Sequence, residues 1–181
     1  MNDLILIALA DEAPTLARWP NVFLTGVGKV NASLSAARLI ERHQPARVWN
    51  FGTAGGLSVG SGIHRCTRFV QRDMDVSALG FEPGQTPYEQ SVHLSTGIGG
   101  LTCSSGDSFV TSANLRIAAD LVDMEAYAIA KACIHSSVEF HCYKFVSDRA
   151  DSASTDDWRA NISRGEPLYL EILRQFGLTA D

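Results

Sequence analysis

Basic charge is scarce in this chain of 181 residues: 15 Lys and Arg stand against 20 Asp and Glu, a formal net charge of −5. A nucleic-acid surface needs clustered cations. Here they are scattered, so no nucleic-acid partner is expected. Long apolar runs are missing as well. The longest, Leu4–Ala10, falls far short of the roughly 20 residues that span a bilayer, so no membrane association is expected. Met1-Asn2-Asp3 lacks the basic charge that would open a secretory leader. Cysteine is limited to Cys66, Cys103, Cys133 and Cys142, with no CxxC pair, which argues for buried thiols in a reducing compartment rather than a disulfide frame or zinc site. His43, His64, His93, His135 and His141 show no metal-ligand spacing either. Repeats, low-complexity tracts and linkers are absent. What is abundant is hydrophobic residues, at 45%, too many for a disordered chain. The expectation is one soluble, cytoplasmic domain over residues 1–181, large enough to bury about 70% of its unfolded surface.

Apolar runs alternate with helical patterns. Leu4–Ala10 is continuous, as in a strand covered on both faces, and Asp11-Glu12-Ala13-Pro14 then opens a short helix. Asn21–Thr25 is a short strand and Gly26-Val27-Gly28 a tight turn. In a helix over Asn31–His43, Val30, Leu34, Ala37 and Ile40 would share one face. Ala46–Phe51 is a buried strand running into a glycine-rich turn, Gly52-Thr53-Ala54-Gly55-Gly56, and Arg65–Gln71 is a further strand. Turn formers dominate residues 72–100, which read as a long loop with one strand at most. Leu121–Met124 is a strand leading into a helix over Ala126–His135. Val138–Val146 is a strand ending in Ser147-Asp148. Thr155–Phe176 is helical, broken at Gly165-Glu166-Pro167. Such alternation predicts an α/β layered fold with a largely parallel sheet.

In such folds ligands bind beyond the carboxyl ends of the strands. Those ends carry Glu12, Glu125 and Asp148, three carboxylates from distant segments. Each also has a plain structural alternative. Glu12 and Glu125 could favour the dipole of a following helix, and Asp148 could form an Asx turn. Gly26-Val27-Gly28-Lys29 lacks the spacing of a triphosphate loop, and the Gly52–Gly56 turn suits close approach of backbone to a small ligand.

Thr25-Gly-Val-Gly-Lys-Val-Asn, Asn50-Phe-Gly-Thr-Ala-Gly-Gly-Leu57, Ser105-Gly-Asp-Ser-Phe109, Asp123-Met-Glu-Ala126 and Ser147-Asp148 follow one another in this order. In these motifs the chain resembles the nucleoside phosphorylase/nucleosidase superfamily, and within it the 5′-methylthioadenosine/S-adenosylhomocysteine nucleosidases, from Leu4 to about Phe176. The resemblance implies a three-layer α/β/α sandwich around a mixed, mostly parallel twisted sheet that curls towards a barrel. It implies cleavage of a purine nucleoside by water, with no metal or organic cofactor. Glu12 then matches the carboxylate that activates water, Glu125 the one that holds the ribose hydroxyls, and Asp148 the acid that protonates purine N7, with Ser147 beside it. Phe109 matches the ring stacked on the base, Val110 the residue whose backbone meets the purine edge, and Met124 a ribose contact. Thr53 stands near the water, where the family usually has Ser, and Val27 joins the substrate-binding set. The loop Asp73–Pro87 resembles one that reaches into a neighbouring subunit, so a homodimer is expected with Val76 and Pro87 lining the partner's 5′-substituent pocket.

The chemistry agrees with those roles. Departure of the base needs a proton, and a carboxyl group serves as the donor where water is largely excluded. An aromatic at 109 adds about 1 kcal/mol of stacking beyond burial. The chain also departs from the family. The segments between Arg18 and Asn21 and between Tyr88 and Gly106 are short, Lys144 stands where Arg is usual, and Asp123 replaces Glu. Asn50 occupies a position where phosphorylases carry Arg, and Asp11 and Glu12 would repel phosphate, so water is the expected nucleophile. A futalosine-type hydrolase, a phosphorylase and a silent nucleoside-binding paralogue are the alternatives.

Overall fold

The structure, a computed structural model, describes residues 3–112 and 115–180. Met1 and Asn2, on which the expectation of no leader rested, lie outside them. The strands are β1 (Asp3–Ile7), β2 (Val22–Leu24), β3 (Arg47–Gly56), β4 (Gly62–Gln71), β5 (Leu94–Ser95), β6 (Leu101–Ser105), β7 (Leu121–Asp123) and β8 (Glu139–Asp148). The helices are α1 (Lys29–His43), α2 (Ala126–His135), α3 (Ser154–Asn161) and α4 (Glu166–Gln175). Among the described residues no helix is long and apolar enough to cross a membrane.

The sheet runs β2-β1-β3-β7-β6-β4-β5, and β8 pairs with both β3 and β4. The hydrogen-bonded path β3-β7-β6-β4-β8 therefore closes on itself. Closure is possible because β3 and β4 are long enough to change partners along their length, while β8 pairs with β3 throughout and with β4 over residues 142–146. Residues 47–50 of β3 pair with β1 and residues 55–56 with β7. The β1–β2, β1–β3, β3–β8, β4–β6 and β6–β7 pairs are parallel, and the other three are antiparallel.

Strand alternation sorts the apolar residues into two cores. Leu4 and Leu6 join α1 and α2 residues in one. Ile5, Ile7, Trp49 and Phe51 join Tyr169 and Leu173 of α4 in the other. The face of α1 differs from its sequence expectation. Ala32, Ala36 and Ile40 are buried, whereas Val30 and Leu34 are 67% and 60% exposed. Small residues let α1 approach α2 closely, and the branched side chains are left on the flank.

Three further differences concern local structure. Asp11–Pro14 does not open an α-helix; two single turns, Ala10–Glu12 and Leu16–Arg18, follow β1. Gly52–Gly56 is part of β3 rather than a turn. Strand β6 had no sequence expectation; it is short, and its polar Thr102, Ser104 and Ser105 hide its burial. The expected break near Gly165 is present, with Pro167 in the first turn of α4, where its missing N–H costs nothing. All four cysteines are buried free thiols.

Candidate active site

The turn after β1 swings Glu12 back over the sheet, where it is 5% exposed. Its Oε1 accepts hydrogen bonds from Thr53 N and Thr53 Oγ1, both at 2.8 Å. Its Oε2 accepts one from Leu9 N at 3.1 Å. Gly52 makes room for this arrangement, because a Cβ there would stand 3.1 Å from Glu12 Oε1 and 3.4 Å from Lys144 Nζ. Gly52 thus admits the Glu12 carboxylate and the Lys144 ammonium beside β3.

Glu125 precedes α2 but does not cap it. Asp123 Oδ2 takes the Ala126 N–H at 2.8 Å, and Glu125 Oε1 instead accepts from Gly28 N at 2.9 Å. Asp123 is also ion-paired with the buried Lys144 at 2.9 Å. Burial alone would raise its carboxyl, yet Lys144 and Ser105 hold it below the usual range. Burial, and then the charge of Asp123, pushes the Glu125 carboxyl up to about 7.

That shift has a measurable consequence. Between the ordinary value of 4.5 and about 7, the folded chain binds more protons at Glu125 than the unfolded chain does. Stability therefore falls as pH rises through that window. A shift of this size is worth about 3 kcal/mol. Glu125→Gln removes the penalty and raises Tm at pH 8 by roughly 5–10 °C, with no gain at pH 4. Thermal melts at the two pH values check this; an equal effect at both would contradict it.

Asp148 is aimed by a bulge. Ala54 pairs with Val146 and Gly55 with Asp148, so Ser147 is the extra residue of β8. Asp148 Oδ2 accepts from Ser147 Oγ at 2.9 Å and Oδ1 from Ala150 N at 2.9 Å. The second bond is the Asx turn anticipated as the plain alternative, and it coexists with a place in the cavity. Ala150 holds the turn at a positive φ of 53°. Gly55 is required here, since a Cβ would meet Asp148 Oδ1 at 3.0 Å and Val122 Cγ2 at 2.9 Å.

These groups share one cavity of about 460 Å³, lined by Glu12, Val27, Thr53, Phe109, Val110, Met124, Glu125, Ser147 and Asp148 among others. Every residue expected at the site within one chain is there. Val76 and Pro87 are not, and both are half-buried in the 73–87 segment. Sequence reasoning missed three contributors. Arg72 ties together β6, β7 and the 106–108 loop, its end nitrogens donating to the carbonyls of Ser104, Asp123, Gly106 and Ser108. Gly106 lies against this guanidinium, with a Cβ position 2.9 Å from Cζ. Lys144, noted only as a departure, is the buried counter-ion of Asp123. Trp158 of α3 also lines the cavity; a lone indole in the polar Thr155–Asn161 stretch was the available signal. No group of three or more His, Cys, Asp or Glu is placed to hold a metal among the described residues.

Residues 19–98 match the phosphorylase superfamily. A 5′-methylthioadenosine/S-adenosylhomocysteine nucleosidase of Bacillus cytotoxicus is 32% identical over 163 aligned residues, covering 72% of this chain and 68% of the relative. The enzyme of that name from Haemophilus ducreyi is 36% identical over 158, covering 72% and 67%. The chain belongs to the phosphorylase superfamily. Among solved structures, a futalosine hydrolase mutant of Helicobacter pylori superposes on this superfamily member with a TM-score of 0.83. It is 20% identical and covers 92% of this chain and 94% of its own, a likeness of fold.

Proposed function

We propose that the chain hydrolyses the N-glycosidic bond of a purine nucleoside, with a 5′-modified adenosine such as 5′-methylthioadenosine or S-adenosylhomocysteine as substrate. The observation that carries this reading is the convergence of Glu12, Glu125 and Asp148, all nearly buried, on a cavity walled by Phe109 and Met124. In this reading Glu12 takes a proton from the attacking water. Glu125 accepts from the ribose 2′- and 3′-hydroxyls, and its charge favours the cation developing on the sugar. Asp148 protonates N7 as the base leaves. Phe109 stacks on the base and Val110 meets its edge with backbone groups. The domain is one unit with α1 and α2 on one face of the sheet and α3 and α4 on the other. Because Glu125 must be ionised to accept two hydroxyls, kcat/KM rises with pH through about 7.

Water rather than phosphate suits the electrostatics. Arg72 and Arg159 are the cationic side chains lining the cavity among the described residues. Arg72 is committed to four carbonyls, and Arg159 is 70% exposed beside Asp156. Asn50 is buried in the sheet, where its Nδ2 donates to Leu6 O at 3.1 Å. A dianion near Glu12 would meet that carboxylate, while the Arg72 end nitrogens are held by carbonyls and Arg159 is largely exposed to solvent. A panel of purine nucleosides varying the 6-substituent and the 5′-group, assayed for free base, tests the reading. Base release from none of them would end it.

The reading includes a homodimer with shared sites. Leu79 is 72% exposed and Tyr88 94%, while Met74, Val76 and Phe81 are half-buried, since the loop leans partly on its own domain through Gly84 and Ile117. Val27, Val30 and Leu34 add exposed apolar side chains at and just before the start of α1, surface that a partner subunit would cover. Activity is expected to fall more than linearly on dilution, and Val76→Glu to give a folded monomer with an open 5′ pocket. A wild-type chain that sediments as a monomer at assay concentration with full specific activity would contradict the shared site.

A further inference from the structure

A wall of the cavity is also wired to the base. Trp158 Nε1 donates to Thr53 Oγ1 at 3.0 Å, and Thr53 Oγ1 donates to Glu12 Oε1 at 2.8 Å. The direction of this relay is fixed by chemistry. An indole N–H only donates, and a carboxylate only accepts. The hydroxyl between them must therefore accept from Trp158 and spend its single proton on Glu12. Without the indole, the same hydroxyl could rotate, accept from a water and leave Glu12 with its two backbone donors, Thr53 N and Leu9 N.

The relay also couples two distant elements. Thr53 belongs to β3, and Trp158 lies 105 residues later on α3. Helix α3 is held over the cavity from beneath by Asn161, whose Nδ2 donates to Ser147 O at 2.8 Å. The Trp158 ring stands edge-on to Phe109 with centroids 6.2 Å apart. One residue thus touches the aromatic wall expected at the base and, through Thr53, the carboxylate expected at the water.

We infer that Trp158 is a positioning residue for hydrolysis: its indole N–H orients the Thr53 hydroxyl so that Glu12 is held ready for the attacking water. The inference rests on the proposed hydrolase reading. It is separate from the ring's role as a wall, which any large aromatic would fill.

The test is a double-mutant cycle on the full chain with whichever nucleoside the wild type cleaves. Trp158→Phe keeps an aromatic wall and removes the N–H. It is expected to lower kcat about tenfold, the scale of one positioned hydrogen bond, with KM within about twofold. Thr53→Val keeps the shape and removes the hydroxyl, with a comparable loss. The combined variant is expected to be no slower than Thr53→Val alone, because the indole then has nothing to orient. Additive losses, or a Trp158→Phe defect carried by KM, would overturn the inference and leave Trp158 a wall. Should Thr53→Val not fold, the kcat–KM split of Trp158→Phe decides alone, with an unchanged kcat counting against the relay. A wild type inactive on every purine nucleoside would instead strike at the hydrolase reading itself.

Discussion

Asp148→Asn is expected to abolish base release almost completely, by 10²–10⁴-fold, the usual cost of losing a general acid. The carboxamide still accepts the Ala150 N–H that Asp148 Oδ1 takes at 2.9 Å. Ser147 Oγ retains a neighbour in Ala54 O at 3.4 Å, so the bulge and the fold persist. An amide can also hydrogen-bond purine N7, yet it has no proton to give as the glycosidic bond breaks. The variant should therefore bind nucleoside and stall. Single-turnover assays with 6-aminopurine nucleosides check this, and wild-type turnover on them would remove Asp148 from the mechanism.

Glu12→Gln is expected to stop hydrolysis by a similar factor while preserving nucleoside binding. A glutamine carbonyl oxygen keeps both donations from Thr53. Its NH₂ faces the Leu9 N–H in place of an acceptor, a local cost of about 1 kcal/mol that a folded domain tolerates. Water then lacks its base, while Phe109, Met124 and Glu125 remain in place. Calorimetry with a non-hydrolysable nucleoside analogue should give a Kd within about threefold of wild type. A loss of binding matching the loss of rate would make Glu12 a structural residue.

The sequence carried the strand–helix alternation where a buried strand reads as a continuous apolar run, as Leu4–Ile7 of β1 does. It carried the site's carboxylates because strand ends mark where ligands meet α/β sheets. Strand β6 escaped because its buried residues are Cys, Ser and Ser rather than Val or Ile. The exposed flank of α1 escaped because periodicity marks which residues share a face, not which face meets α2. The role of the β3 glycines also needed three dimensions. Only the fold brings Glu12, Lys144 and Asp148 against Gly52 and Gly55. Lys144 and Trp158 act through partners at positions 123 and 53, and such distant pairings leave no local pattern. The bulge at Ser147, which turns Asp148 towards the cavity, depends on register with β3 and is invisible in β8 alone.

The most direct test of the hydrolase assignment is cleavage of 5′-methylthioadenosine in phosphate-free ¹⁸O-labelled water, with the products resolved by mass spectrometry. Free adenine and a methylthioribose carrying one ¹⁸O at C1 are the expected products, at a rate that added phosphate leaves unchanged. Base release that requires phosphate and yields an unlabelled sugar 1-phosphate would contradict the assignment, as would intact nucleoside after prolonged incubation with folded protein.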